Sequence, residues 1–237
     1  MQNYTRTKNV ILFLHGNNED ISSGKSYCQW LADKTNTNVL SCDYPGYGFS
    51  TGQPSEQGMN SAAFALLDYT LSKLNHEMHE VILLGKSIGS TPAINLASQP
   101  ACSRLGGMLL VSPLASGVRC FSASSKLPNF ILTELDSWVL PNIKHISNVS
   151  CPVQFIHGLK DEVVPCCNSH MLLAAMRSPP FTKPLYVNAG HNDIESKFSG
   201  LFMDTVKDFL EVCSQRYLCL CTYDNNSKNE DTDMFDY

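Results

Sequence analysis

No stretch of the 237-residue chain approaches the ~20 consecutive apolar residues that a membrane-spanning helix needs, and the opening Met-Gln-Asn-Tyr-Thr-Arg-Thr-Lys lacks the apolar core of a secretory signal. A cytoplasmic protein is expected. Basic residues are also scarce, with 17 Lys and Arg against 22 Asp and Glu, which excludes the dense positive face that nucleic-acid binding requires. No Pro/Gly/Ser-rich linker and no internal repeat divides the chain, so one folded domain is expected. The ten cysteines are too sparse for a disulfide scaffold, and no Cys/His set stands at zinc spacing. Most of them are expected as small core residues, with neither metal nor cofactor. The charge imbalance is local: Asp224 to Tyr237 holds five acids and one lysine, most of the net charge of −5. From 214 onward the chain reads as an acidic, disordered tail behind a domain over residues 1–213.

What the chain has is a series of short apolar runs alternating with helix-compatible stretches. Strands are predicted at Val10 to Leu14, Val39 to Cys42, Val81 to Leu84, Gly107 to Val111, Pro152 to Ile156 and Leu185 to Val187. Helices are predicted from about Ser26 to Asp33, from Pro54-Ser55-Glu56 onward with Met59, Ala63, Leu66, Leu67, Leu71 and Leu74 on one face, and from about Thr91 to Ser98. A closing helix starts near Ile194 and buries Phe198, Leu201, Phe202, Val206, Phe209 and Leu210. This alternation is that of an α/β fold, a mostly parallel sheet with helices on both faces. Between about 113 and 149 periodicity lapses while Phe121, Leu127, Phe130, Ile131, Leu132, Trp138, Val139 and Leu140 accumulate. A segment so placed forms a small cap over the strand ends, either to receive an acyl chain or to pack a core of its own.

The run Val81 to Leu84 stops at Gly85-Lys86-Ser87-Ile88-Gly89. A buried strand feeding straight into Gly-x-Ser-x-Gly and then a helix is the nucleophile elbow of α/β hydrolases, with the serine on a turn too sharp for side chains at the flanking glycines. Two more residues stand just beyond later strands: Asp161 in His157-Gly158-Leu159-Lys160-Asp161, and His191 in Gly190-His191-Asn192. The order Ser87, Asp161, His191 is the α/β-hydrolase order of nucleophile, acid and histidine. A serine hydroxyl needs a neighbouring base, so His191 is the expected base and Asp161 the group that orients it. Glu162 and Asp193 are the rival acids. By position Asn17, in the loop after the first strand, and Ile88, after the serine, would supply the backbone N–H groups that bind the substrate oxyanion. His15 is expected only to shape that loop, and Asp43-Tyr44-Pro45-Gly46-Tyr47-Gly48-Phe49-Ser50 to be an architectural turn.

These motifs resemble one branch of the α/β-hydrolase superfamily, the α/β-hydrolase domain-containing protein 17 depalmitoylases and their Bem46-like relatives. The likeness runs from about Val10 to Val212. It rests on His15-Gly16-Asn17, the turn from Asp43, Pro54-Ser55-Glu56, the elbow, Ser112-Pro113-Leu114-Ala115-Ser116-Gly117, Pro141-Asn142-Ile143, His157-Gly158 with Asp161-Glu162-Val163, and Gly190-His191-Asn192-Asp193-Ile194-Glu195. The resemblance implies a cofactor-free serine hydrolase that cleaves palmitoyl thioesters on protein cysteines through Ser87, Asp161 and His191. Members of the branch carry a palmitoylated N-terminal cysteine cluster and leading strands. Here the chain opens about ten residues before the first core strand, so both are expected to be missing. Lys86 stands where the branch has a neutral residue. Cys219 and Cys221 invite the idea of a C-terminal lipid anchor and peripheral membrane association, against the simpler expectation of a helix end packed on the domain. A carboxylesterase or lipase-like hydrolase of free lipid esters, and a catalytically silent binding module, are the alternatives.

Overall fold

A computed structural model describes residues 5–121, 135–136, 139–178 and 181–230, with Phe121 and 218–230 as backbone only. The elements are β1 (Val10–Leu14), α1 (Ile21–Thr35), β2 (Asn38–Ser41), α2 (Glu56–Ser72), β3 (Val81–Lys86), α3 (Ser90–Ala97), β4 (Gly107–Val111), α4 (Gly117–Phe121), α5 (Asn142–His145), β5 (Val153–Gly158), α6 (Cys167–Ala175), β6 (Leu185–Val187), α7 (Ile194–Lys197) and α8 (Ser199–Glu230). The strands form one sheet in the order β2-β1-β3-β4-β5-β6, and every pairing is parallel.

A sheet joined by helical crossovers is covered on both faces, which is why β1, β4 and the Val81 to Leu84 part of β3 are unbroken apolar runs. Alternate side chains feed two cores. Val10, Leu12, Leu14, Leu83, Leu110 and Phe155 pack with Met59, Ala63, Leu66 and Leu67 of α2 and Ala93 and Ile94 of α3. Ile11, Phe13, Ile82, Leu84, Leu109, Val111 and Ile156 pack on the other side with Leu31 of α1 and Phe202, Val206 and Phe209 of α8. Each such side chain contributes about 1.5–3 kcal/mol by leaving water. The strands at either edge, β2 and β6, are only part-buried.

The observed elements depart from the sequence pattern where long-range contacts intervene. Helix α1 starts at Ile21, five residues early. Asp20 caps it in a box with Ser23, and the Asp43 carboxylate accepts the Ile21 N–H at 2.7 Å. The second partner lies 22 residues away and offsets the poor helix propensity of Ser22-Ser23-Gly24. The closing helix breaks at Phe198 into α7 and α8, and Leu201, expected on its buried face, is 48% exposed. The backbone of α8 continues to Glu230, past the tail boundary expected at 214, through a stretch without Gly or Pro that propagates from a docked first half. Among the described cysteines Cys102, Cys151 and Cys213 are buried, Cys28, Cys42, Cys120 and Cys166 are half-buried and Cys167 is exposed, so core packing accounts for fewer of them than expected. The cap residues Leu127, Phe130, Ile131, Leu132 and Trp138, and the side chains of Phe121, Cys219 and Cys221, lie outside the described set.

Candidate active site

The C-terminal ends of β1, β3, β5 and β6 converge on one rim, and the loops that leave them carry the residues singled out above. At the end of β3 the chain turns at Ser87, whose φ of 53° is in the left-handed region that a serine occupies only when its surroundings enforce it. The enforcement comes from the glycines. A Cβ on Gly89 would sit 2.0 Å from the Leu14 carbonyl oxygen, and one on Gly85 would sit 2.7 Å from that of Gly89. Strand, turn and helix therefore meet at backbone contact distance, and the Ser87 side chain is pushed outward at the tip.

The structure brings Ser87, His191 and Asp161 together. His191 Nδ1 is 2.7 Å from Asp161 Oδ2 and its Nε2 is 2.9 Å from Ser87 Oγ. An ionised carboxylate only accepts, so the hydrogen belongs on Nδ1, and the Nε2 lone pair faces the serine hydroxyl. The second carboxylate oxygen, Oδ1, accepts the N–H groups of Val163 at 3.0 Å and Val164 at 2.7 Å. Burial opposes ionisation of Asp161, but hydrogen bonds from His157, His191 and the Val164 N–H outweigh it and hold the carboxyl well below the usual carboxylate range. The rival acids are turned elsewhere. Asp193 accepts the Gly190 N–H at 2.6 Å and pairs with Lys197, and Glu162 is exposed.

Asn17 and Ile88 line one cavity with Ser87. The Gly16–Asn17 peptide is held by its carbonyl, which lies 2.9 Å from His15 Nδ1 and accepts the Glu19 N–H at 3.3 Å. Across a trans peptide the carbonyl and the following N–H point in opposite directions, so pinning the first aims the Asn17 N–H away from His15. His15 is fully buried and stacks on Tyr44 with ring centroids 4.1 Å apart, a loop-shaping role.

With the fold and this geometry in view, the family model described as Serine aminopeptidase, S33 (Hydrolase_4) matches residues 5–147, which include the elbow and the loop after β1. The chain belongs to this α/β-hydrolase family. It is 34% identical over 207 residues to alpha/beta hydrolase domain-containing protein aho-3 of Caenorhabditis elegans, covering 86% of this chain and 58% of that one. It is 36% identical over 203 residues to alpha/beta hydrolase domain-containing protein 17C of Homo sapiens, covering 85% and 57%. The chain thus spans less than three fifths of the length of these curated relatives. Among solved structures, the Pyrococcus furiosus esterase Pf2001 superposes with a TM-score of 0.70 at 17% identity, over 86% of this chain and 83% of that one. Mouse alpha/beta hydrolase domain-containing protein 10 superposes with a TM-score of 0.64 at 18% identity, over 88% and 92%. The fold is the α/β-hydrolase fold, and the likeness to protein 17 read from the motifs holds over 85–86% of the chain.

Several residues that hold these side chains in place were not assigned roles from the sequence. His157, fully buried at the end of β5, places Nε2 2.8 Å from the Val164 carbonyl and 3.3 Å from Asp161 Oδ2, with Nδ1 2.6 Å from Ser169 Oγ. A carbonyl only accepts, so Nε2 carries a hydrogen and steers the Asp161 loop from behind. The turn after β2 does more than reverse the chain. Tyr44 donates to the His15 carbonyl at 3.2 Å and Tyr47 to the Asn17 side-chain oxygen at 2.7 Å, buttressing the loop after β1. The aromatic on each side of Gly46 was the available signal. Ser112 to Gly117 and Pro141-Asn142-Ile143, at the two ends of the segment expected as a cap, are tied to α3. Asn142 donates to the Leu114 carbonyl at 2.9 Å and lies 3.2 Å from Thr91 Oγ1, while the Ala115 N–H is received by Asn168. Ser116 and Arg119 both bond Asp136.

Asn142→Ala would leave the Leu114 carbonyl buried and without its donor, at a cost of about 1–3 kcal/mol. For a chain of this size that lowers the melting temperature by roughly 2–4 °C per kcal/mol. A melt indistinguishable from native would refute this account of the motif.

Proposed function

We propose that the protein is a serine hydrolase of acyl esters and thioesters, acting by way of an acyl-enzyme, and that its substrates are palmitoylated protein cysteines. The observation that carries this is the bonded chain Asp161, His191, Ser87, with the serine at a left-handed φ on the elbow. Ser87 Oγ attacks the carbonyl carbon as its proton passes to His191 Nε2. The buried Asp161 carboxylate stabilises the imidazolium. The Asn17 and Ile88 N–H groups receive the oxyanion, each such donor being worth roughly a hundred- to a thousandfold in rate. The C–S bond breaks and the imidazolium protonates the leaving thiolate. Water, deprotonated by His191, then attacks the acyl-serine and releases the fatty acid.

Ser87 stands at the junction of two cavities. One, of about 400 Å³, is lined by Ile88, Leu114, Cys120, Leu140, Val163 and Val164, a volume and lining suited to an acyl chain. The other, of about 180 Å³, is lined by Gly16, Lys86, His191 and Asn192 and leaves room for the leaving group. Burial pushes the Cys120 thiol up to about 12, so it stays protonated and does not compete with Ser87 as nucleophile. A palmitoyl substrate also supports a peripheral place at the cytoplasmic face of a membrane. The 34–36% identity to proteins of the domain-containing protein 17 group supports the thioester over other acyl substrates.

Turnover of an S-palmitoylated peptide against short-chain aryl esters tests the substrate. The palmitoyl peptide is expected to show the higher kcat/KM, and a preference for acetyl or butyryl esters would give the enzyme to free esters instead. Leu140→Trp, which fills the apolar cavity, is expected to lower kcat/KM for the palmitoyl peptide by about 10–100-fold and to leave acetyl-ester turnover within about twofold. Equal losses on both would remove the acyl chain from that cavity.

A further inference from the structure

The chemistry proposed above makes no use of the charged side chain next to the nucleophile. Lys86 is the last residue of β3, and its side chain is only 13% exposed. Its Nζ lies 2.9 Å from Glu19 Oε1 and 3.5 Å from Glu195 Oε1, 5.5 Å from the centroid of the Tyr27 ring. The two carboxylates belong to different parts of the site. Glu19 closes the loop after β1, and its other oxygen accepts the Gly16 N–H at 3.0 Å. Glu195 stands in α7, four residues beyond His191, and its buried Oε1 accepts no hydrogen bond from the described residues, so the ammonium is the charge that compensates it. One ammonium thus reaches the oxyanion loop through Glu19 and the histidine loop through Glu195, from the residue adjoining Ser87.

We propose that Lys86 is a positioning residue that holds the Gly16–Asn17 peptide and the His191 loop in register with Ser87 through Glu19 and Glu195. This rests on the serine-hydrolase reading of the same site. The electrostatics agree with the geometry. Burial would push the lysine down and Glu19 up, yet the two carboxylates hold Lys86 above its ordinary range, and the Gly16 N–H together with the Lys86 ammonium holds Glu19 below its own. Without the ammonium two half-buried carboxylates converge on a space that neither can share. Glu19 then swings towards water and releases the Gly16 N–H, and the Asn17 N–H loses its aim. Displacements of about 1 Å at such a position cost on the order of a hundredfold in rate.

The test compares native enzyme, Lys86→Met, Lys86→Arg and Glu19→Gln on an acyl ester, with melting temperature, kcat, KM and the inhibition constant of an alkyl boronic acid, whose bound adduct mimics the oxyanion. Lys86→Met is expected to lower kcat about 10–100-fold with KM within about twofold, and to weaken the boronic acid by the same factor as kcat/KM. Lys86→Arg keeps the charge and is expected to stay within about fivefold of native kcat. Glu19→Gln keeps an acceptor for Gly16 but breaks the link to Lys86, and is expected to lower kcat about 3–10-fold at unchanged KM. This variant carries the test if Lys86→Met does not fold. The proposal is overturned if both charge-removing variants keep kcat within twofold of native, or if kcat and KM fall only in step with melting temperature. A native protein that takes no fluorophosphonate and turns over no ester would instead overturn the proposed function. Native turnover with an unaffected Lys86→Met separates the two failures.

Discussion

Ser87→Ala is expected to lose fluorophosphonate labelling completely and to lower kcat on acyl esters by on the order of 10⁶-fold, the scale for removing the nucleophile of a Ser-His-Asp set. Asp161→Asn is expected to cost about 10⁴-fold by a different route. The hydrogen now on His191 Nδ1 points at Asp161 Oδ2 across 2.7 Å. In the variant, a side-chain amide that donates there instead would move that hydrogen to Nε2, where it blocks proton transfer from Ser87. The same variant has a pH signature. The Asp161 carboxyl is held below its unfolded value of about 3.9, so its contribution to stability is fully present above that value and lost as pH falls through the lower folded value. The difference in melting temperature between native and Asp161→Asn is therefore expected to shrink as pH falls from about 5 towards 2. Labelling that persists in Ser87→Ala would show the probe reacting elsewhere and end the proposed mechanism.

Gly89→Ala is expected to yield no folded protein. The added Cβ would lie 2.0 Å from Leu14 O, 2.6 Å from Leu14 C and 2.7 Å from His15 O, all backbone atoms of β1 and the loop that leaves it. Nothing there can rotate aside, and relief requires parting β1 from the elbow, which also unseats α3. The expected cost exceeds about 4–5 kcal/mol, a large share of the ~5–15 kcal/mol that holds a domain together. Gly200 is the control. It lies in the first turn of α8 with nothing within 4 Å of its Cβ position, and Gly200→Ala is expected to stabilise the protein by up to about 1 kcal/mol through helix propensity. Expression and thermal melts of the two variants check both values, and a Gly89→Ala protein melting within a few degrees of native would show that the elbow tolerates the separation.

The lysine relay shows how two levels of information combine. That Lys86 precedes Ser87 is a fact of sequence. That its ammonium finds Glu19 and Glu195 depends on β1, β3 and the start of α7 ending at one rim, and Glu19 and Glu195 are 176 positions apart. Likewise His157 looked like part of a strand-end motif, and only the fold shows it 3.3 Å behind Asp161. Tyr44 and Tyr47 looked like ornaments of a glycine turn until the loop after β1 was seen to rest on both.

The sequence by itself determined the strand–helix alternation, the parallel sheet and the glycine-flanked elbow, because hydrophobic period and glycine sterics act within a few residues. It also placed Ser87, Asp161 and His191 just beyond strand ends. Tertiary structure alone decided which partners those residues meet: the 2.7 Å and 2.9 Å contacts of His191, the early start of α1 under Asp43 and the exposure of Leu201. Distances between side chains on different loops follow from how strands stack and where their ends fall, and no local pattern records them.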